Sequence, residues 1–270
     1  MEMDVNEKIV ALGVGRKGCE AVEHMLVLGK IDGVKFSDMR FRVEPDVLDL
    51  FNVPLKFNVQ NVDDCKKIID ENFKHADIIF VFGDGPLAPY VAKAAKDSGI
   101  LTIGIALSHN EELKAMLKDA SDALISLETE IGWVKYVVEN IVTIITKPGF
   151  VNLDCDDVKS TLQDVGTAFI GTGRDNRAKI AALQAANMCR DVRNAKRVLL
   201  NITTGSEVSS TDMSNASEII EWIAAPDAQV IFGHVIDDDM RKDVQVTFIA
   251  GMDDKINIPT QNIQAMEELS

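Results

Sequence analysis

No run of apolar residues in this chain is long enough to cross a bilayer, and no basic leader opens it: Met1-Glu2-Met3-Asp4 is acidic. Neither export nor a direct membrane anchor is expected, and the expected location is the cytoplasm. The cysteines Cys19, Cys65, Cys155 and Cys189 form no Cys-x-x-Cys pair and have no histidine cluster beside them. They read as reduced, mostly buried small hydrophobes. The four histidines are isolated, so no metal site is expected. Internal repeats and low-complexity segments are missing too. Positive charge is in deficit: 28 Lys and Arg against 43 Asp and Glu leave a net charge of −15. Phosphates would be repelled, which argues against nucleic acid or an anionic membrane as direct partner. The same charge serves solubility equally well.

What is present is an ordinary globular balance, 46% hydrophobic and 26% charged over 270 residues. That is enough for one large domain or two smaller ones. Patterning predicts strands at 7–12, from 34, at 77–82, 100–107 and 123–127. Helices are predicted at 20–28, 65–73, 87–96 and 115–120. The run Asp77-Ile78-Ile79-Phe80-Val81-Phe82 is apolar on both faces, as in a parallel sheet. This alternation defines an α/β, doubly wound parallel sheet. Residues 130–146 predict a long helix, aliphatic nearly all round through Val134, Val137, Val138, Ile141, Val142, Ile144 and Ile145, and hence central and buried. Beyond it, helices at 156–165, 177–188 and 211–223 mix with strands at 166–171, 197–203, 229–236 and 244–251, an α+β arrangement. The expected division is a nucleotide-binding-type domain over 1–129, a central helix and link over 130–150, a second domain over 151–252 and a short tail over 253–270.

Two groups of residues carry possible chemistry. Gly13-Val14-Gly15-Arg16-Lys17-Gly18 follows the first strand, and Gly83-Asp84-Gly85 follows the strand ending at Phe82. Glycines after a strand let backbone N–H groups approach a phosphate. The spacing Gly13-x-Gly15-x-x-Gly18, with Asp38 some twenty residues on, also fits a dinucleotide fingerprint. Arg16 and Lys17 would either block a phosphate, pair with it, or point to solvent. The second group is Asn152-x-Asp154-x-x-Asp157, opening a helix. Acidic groups there suit the positive end of the helix dipole on structural grounds alone.

The string Lys147-Pro148-Gly149-Phe150-Val151-Asn152-Leu153-Asp154 with Asp157-Val158 resembles the catalytic loop of the FtsZ branch of the tubulin superfamily. Further blocks resemble that family in order: Val165 to Gly173, Asp175-Asn176-Arg177-Ala178, Val198 to Gly205, Ile231 to Asp237 and Val244 to Gly251. The flanks around Asp77–Val81 and Ala88–Thr102 agree as well. The departures are concentrated in one place. The family's Gly-Gly-Gly-Thr-Gly-Thr-Gly phosphate loop is replaced by Gly83-Asp84-Gly85-Pro86, where Asp84 brings negative charge. The loop covering the γ-phosphate is missing between Asp38 and Asn61. The guanine-contacting Asn-Asp falls near Ile131-Gly132, which lack its hydrogen-bonding groups. The family's membrane-tethering tail is not expected in 253–270.

The resemblance implies a tubulin/FtsZ-like fold and a cytoskeletal, cell-division type of protein that assembles with itself or with a GTP-competent FtsZ. In such a filament Asp154 and Asp157 would polarise a water on the neighbouring subunit's nucleotide, with Asn152 positioning the loop. Gly13, Gly15, Arg16, Lys17, Gly18, Gly83, Asp84 and Gly85 would form a vestigial phosphate site. The expected cofactor is none, or GTP with Mg²⁺ only if GTP binds. Two alternatives stand beside this: an active GTPase with a remodelled phosphate site, with Mg²⁺ bridging Asp84 to phosphate, and an NAD-type Rossmann protein.

Overall fold

The computed structural model describes residues 8–28, 31, 34–41, 55–59, 61–126, 132–147, 149–188, 194–205 and 226–252, with 214, 218 and 224 singly. The first half alternates β1 (Ile9–Val14), α1 (Gly15–Val27), β2 (Val34–Phe41), β3 (Leu55–Val59), α2 (Asp63–Asn72), β4 (Ile78–Gly83), α3 (Leu87–Asp97), β5 (Leu101–Ala106), α4 (Glu111–Ala120) and β6 (Ala123–Ser126). The central helix α5 (Gly132–Thr146) follows. Then come α6 (Cys155–Leu162), β7 (Gly166–Asp175), α7 (Ala178–Met188), β8 (Arg197–Thr204), β9 (Gln229–Ile236) and β10 (Val244–Gly251).

All the strands join one ten-stranded sheet in the order β3-β2-β1-β4-β5-β6-β7-β10-β8-β9. Every pair from β3 to β7 is parallel, and only β10 runs antiparallel to its neighbours. β1, β4 and β5 are buried along their whole length, and period-two alternation sends their side chains to two cores. Ile9, Ala11, Phe80 and Ile103 face α1 and α5, while Val10, Leu12, Ile79 and Val81 face α2, α3 and α4. The expected α/β doubly wound sheet, central helix and α+β second half are all found.

α5 is buried through Val134, Val137, Val138, Ile141, Val142 and Ile144, each 2% exposed or less. Burying one such aliphatic side chain stabilises by about 1.5–3 kcal/mol. Its core continues into Val158 and Leu162 of α6 and Leu199 and Ile249 of the second half, so this helix is the joint between the halves. The opposite face of β8 and β10 packs on alanines of α7. That approach is close because β7 carries glycine: a Cβ on Gly173 would lie 2.1 Å from the Ala181 carbonyl oxygen.

Several boundaries differ from expectation. α1 begins at Gly15 and not near Glu20, so the glycine-rich segment is strand end and helix start with no loop between. α4 begins at Glu111 because Asn110 caps it, accepting from the N–H of Glu112 and Leu113. β7 runs to Asp175 because β10 pairs with it throughout. β3 was not foreseen. The helix read over 211–223, the side chains of Trp133 and Asp38, and the tail 253–270 lie outside what is described.

Candidate functional site

In a doubly wound sheet, ligands sit outside the carboxyl ends of the strands where the strand order reverses. Here that point lies between β1 and β4, whose C-terminal ends are Val14 and Gly83. Gly15-Arg16-Lys17-Gly18 and Gly83-Asp84-Gly85 flank it, so the structure brings both sequence-predicted glycine groups to one crevice. Asp38 also belongs to this edge, its backbone in register with Gly13 on β2.

Most of the glycines there are explained by packing. A Cβ on Gly13 would lie 2.5 Å from the Gly18 carbonyl oxygen, and one on Gly18 would lie 2.1 Å from that of Phe82. A Cβ on Gly83 would meet the Ala88 Cβ at 2.2 Å. These three residues let α1, β1, β4 and α3 close on one another. Gly15 is different: its φ of +71° is a left-handed conformation that favours glycine. Gly85 has open space around it.

The start of α1 is already served. Val14 precedes the helix without a side-chain cap, and the first turn holds no acidic residue. Asp84 Oδ1 accepts a hydrogen bond from the Lys17 N–H at 3.2 Å, across 67 residues of chain. Arg16 and Lys17 are exposed, and Arg16 Nε pairs with Glu20 at 3.1 Å. The cavity beside Gly83, Asp84, Gly85, Ser108 and Lys114 holds about 10 Å³, room for one water. A carboxylate against the start of α1 does not suit a nucleotide phosphate at that position. A larger cavity of about 540 Å³ lies elsewhere, between α5 and the second half, lined in part by Asn140, Lys147, Asn201 and Asp237.

Asn152, Asp154 and Asp157 come together at the opposite edge of the sheet. Lys159 Nζ donates to the Gly99 carbonyl just before β5. Cys155 feels the charge of Asp77, which precedes β4. Six-residue strands at ~3.3 Å per residue separate the two edges by roughly 20 Å. The loop and the crevice of one chain therefore do not meet.

Each of the three polar residues has a structural task. Asp154 Oδ1 accepts from the N–H of Asp156 at 2.9 Å and of Asp157 at 3.0 Å. Asp157 Oδ2 accepts from the Asp154 N–H at 3.0 Å, completing a capping box. Asn152 Oδ1 accepts from the Gly149 N–H at 2.8 Å. These bonds use one oxygen of each aspartate, and Asn152 and Asp154 are exposed. Burial, then the charge of Asp77, pushes the Cys155 thiol up to about 11.

The loop is pinned to β9. Val151 bridges His234, and a Cβ on Gly149 would fall 1.5 Å from the His234 carbonyl oxygen. His234 is buried, its Nε2 lies 2.9 Å from Thr204 Oγ1, and burial holds its pKa below the usual histidine value. Phe150 stacks on that imidazole at 5.3 Å, yet stays 77% exposed. Sequence reasoning gave Phe150 no role; its signal was an apolar pair, Phe150-Val151, inside a polar loop. The structure places a 3-10 turn at Asp238–Met240 and pairs Asp237 with Lys147.

Comparisons with known proteins agree with this geometry. Residues 166–253 match the FtsZ family, C-terminal domain. The chain superposes on an FtsZ dimer structure from M. jannaschii with a TM-score of 0.73 at 21% identity, covering 90% of this chain and 88% of that one. TubZ from Bacillus thuringiensis serovar israelensis, solved as GDP-form protofilaments, matches with a TM-score of 0.65 at 13% identity, covering 98% of this chain and 94% of that one. Residues 166–253 thus match an FtsZ-type C-terminal domain, and the chain as a whole shares the fold of these FtsZ and TubZ structures. No helix among the described residues is long and apolar enough to cross a membrane.

Proposed function

We propose that this chain is a filament- or oligomer-forming protein of FtsZ type that associates head to tail without holding GTP of its own. The observation that carries the reading is the separation of its two chemical features to opposite edges of one parallel sheet, Asp154 and Asp157 at one and Gly15–Lys17 with Asp84 at the other. Two different faces in contact make an open, heterologous assembly. The relatives support this as proteins crystallised as a dimer and as protofilaments. In the assembly, Phe150 and the uncommitted oxygens of Asp154 and Asp157 meet the next subunit, with Asn152 holding the loop. That subunit is a second copy, or an ordinary FtsZ whose GTP the aspartates then face.

Sedimentation velocity over a concentration series, with and without GTP and Mg²⁺, tests this. The expected result is association that grows with concentration and ignores nucleotide. A monomer at every concentration overturns self-assembly and turns the search to copelleting with an FtsZ. Association that requires GTP favours the second reading, a GTPase with a remodelled phosphate site. That reading draws on the exposed Arg16 and Lys17 beside the crevice.

A further inference from the structure

We propose that Asp84 is the resident anion of the β1–β4 crevice, its carboxylate filling the position at the start of α1 that a phosphate would otherwise take. The inference rests on the nucleotide-independent reading above and supplies its physical cause. Lys17 is the third helical residue after Val14, and the N–H at that position is one of those a helix leaves without an intrahelical acceptor. An N-cap side chain normally satisfies it, but Val14 has no acceptor to offer and the first turn has no acid. Asp84 supplies the acceptor from the neighbouring strand end, at 3.2 Å. A negative group there also suits the helix dipole, the same attraction that recruits phosphate to such sites.

The local backbone is arranged around that carboxylate. Gly15 turns through φ +71°, and a Cβ placed on it would stand 3.6 Å from Asp84 Oδ1. Gly83 is required by the contact with Ala88, whereas Gly85 has nothing within 4 Å of a Cβ. Asp84 thus sits in a turn with glycine on both sides. A second anion brought to the Lys17 amide would lie against the carboxylate, and like charges at that range repel. The crevice is closed to phosphate by occupation and by charge.

The test is titration with inorganic phosphate, followed by the backbone amide resonance of Lys17 in the folded protein. Wild type should show no movement of that resonance up to about 10 mM, the range that detects millimolar binding. Asp84→Gly and Asp84→Asn should each bind phosphate at least about tenfold more tightly than wild type, with the Lys17 amide moving. Asp84→Asn keeps an oxygen acceptor for Lys17 while removing the charge, so it decides the matter if Asp84→Gly does not fold. A wild-type Lys17 amide that responds like the variants overturns the proposal, as do folded variants that gain no phosphate affinity. Wild type assembling without nucleotide while the variants gain nothing removes only the role of Asp84. Variants that gain phosphate while wild type stays monomeric remove only the assembly reading.

Discussion

Lys147 Nζ lies 2.7 Å from Asp237 Oδ2, an ion pair that closes 90 residues of chain. It ties the residue after α5 to the turn after β9. A second tie is made at mid-helix, where Asn140 Oδ1 accepts from Thr247 Oγ1 at 3.1 Å and from Gln245 Nε2 at 3.2 Å. The central helix is thus fastened to the second half by a surface charge pair at its end and by polar bonds nearer its middle.

The hydrogen bond from Lys147 holds the Asp237 carboxyl below the usual carboxylate value of 3.8. A folded pKa lower than the unfolded one means the unfolded chain takes up protons first as pH falls. The stabilisation is therefore whole above the unfolded value and is lost as pH drops through the folded one, below 3.8. Asp237→Asn should cost about 0.5–1 kcal/mol near neutral pH, as for a half-exposed pair. It should also remove this part of the acid sensitivity. Urea unfolding at pH 7 and near pH 3 measures both effects.

Asp154 separates a cap from an interaction. Asp154→Ala should destabilise by about 1 kcal/mol through loss of the α6 cap, whereas Asn caps as well as Asp. We predict that Asp154→Asn keeps wild-type stability yet weakens association, because the partner-facing charge is gone. Wild-type association in a stable Asp154→Asn protein would reduce this residue to its cap. Thermal unfolding and sedimentation on the same samples give the answer.

The crevice glycines should divide by packing. Gly18→Ala forces a methyl to within 2.1 Å of the Phe82 carbonyl oxygen, and overpacking of this kind costs about 1–3 kcal/mol or more. Gly85→Ala, with no neighbour in range, should stay within about 0.5 kcal/mol of wild type. Equal losses at the two positions in denaturant titrations would contradict the packing account.

Among the described residues, Arg16 and Lys17 are exposed cations at the crevice edge, in a chain with net charge −15. The opposite edge carries Asp154, Asp156 and Asp157. For head-to-tail contact, the double variant Arg16→Glu/Lys17→Glu should weaken association about tenfold or more and abolish its salt sensitivity. Sedimentation at about 50 and 300 mM salt checks this; an unchanged, salt-insensitive association would exclude these cations from the contact.

Much of the fold was legible because its signals are local. The apolar runs of β4 and β5 and the aliphatic girth of α5 announce burial on every side, and turn residues separate the elements. What was not legible depends on distant partners. β3, Leu55-Lys56-Phe57-Asn58-Val59, has polar residues between its apolar ones, and among the described strands it pairs with β2 alone. The pairing of β6 with β7, Ala123 with Gly166 and Leu124 with Thr167, joins the halves into one sheet across forty residues that carry no sign of it. At the crevice, Gly13 and Gly18 looked like a loop because glycine spacing alone does not separate close helix packing from room for a phosphate. Only the Phe82 carbonyl, from another strand, distinguishes the two. The departure at Asp84 was visible as a charge out of place, but its partner, the Lys17 amide, is a backbone group and has no letter in a sequence.

A carboxylate bonded to the Lys17 amide differs from a phosphate in one chemical respect: it can be neither cleaved nor exchanged. A polymer whose subunits carry a bound triphosphate ages, since each hydrolysis rewrites the charge at its joints. In an assembly of this chain, as we propose it, that charge is written once, at translation. Its subunits then carry no clock, and turnover has to be imposed from outside, by dilution, by a competing partner or by destruction of the protein.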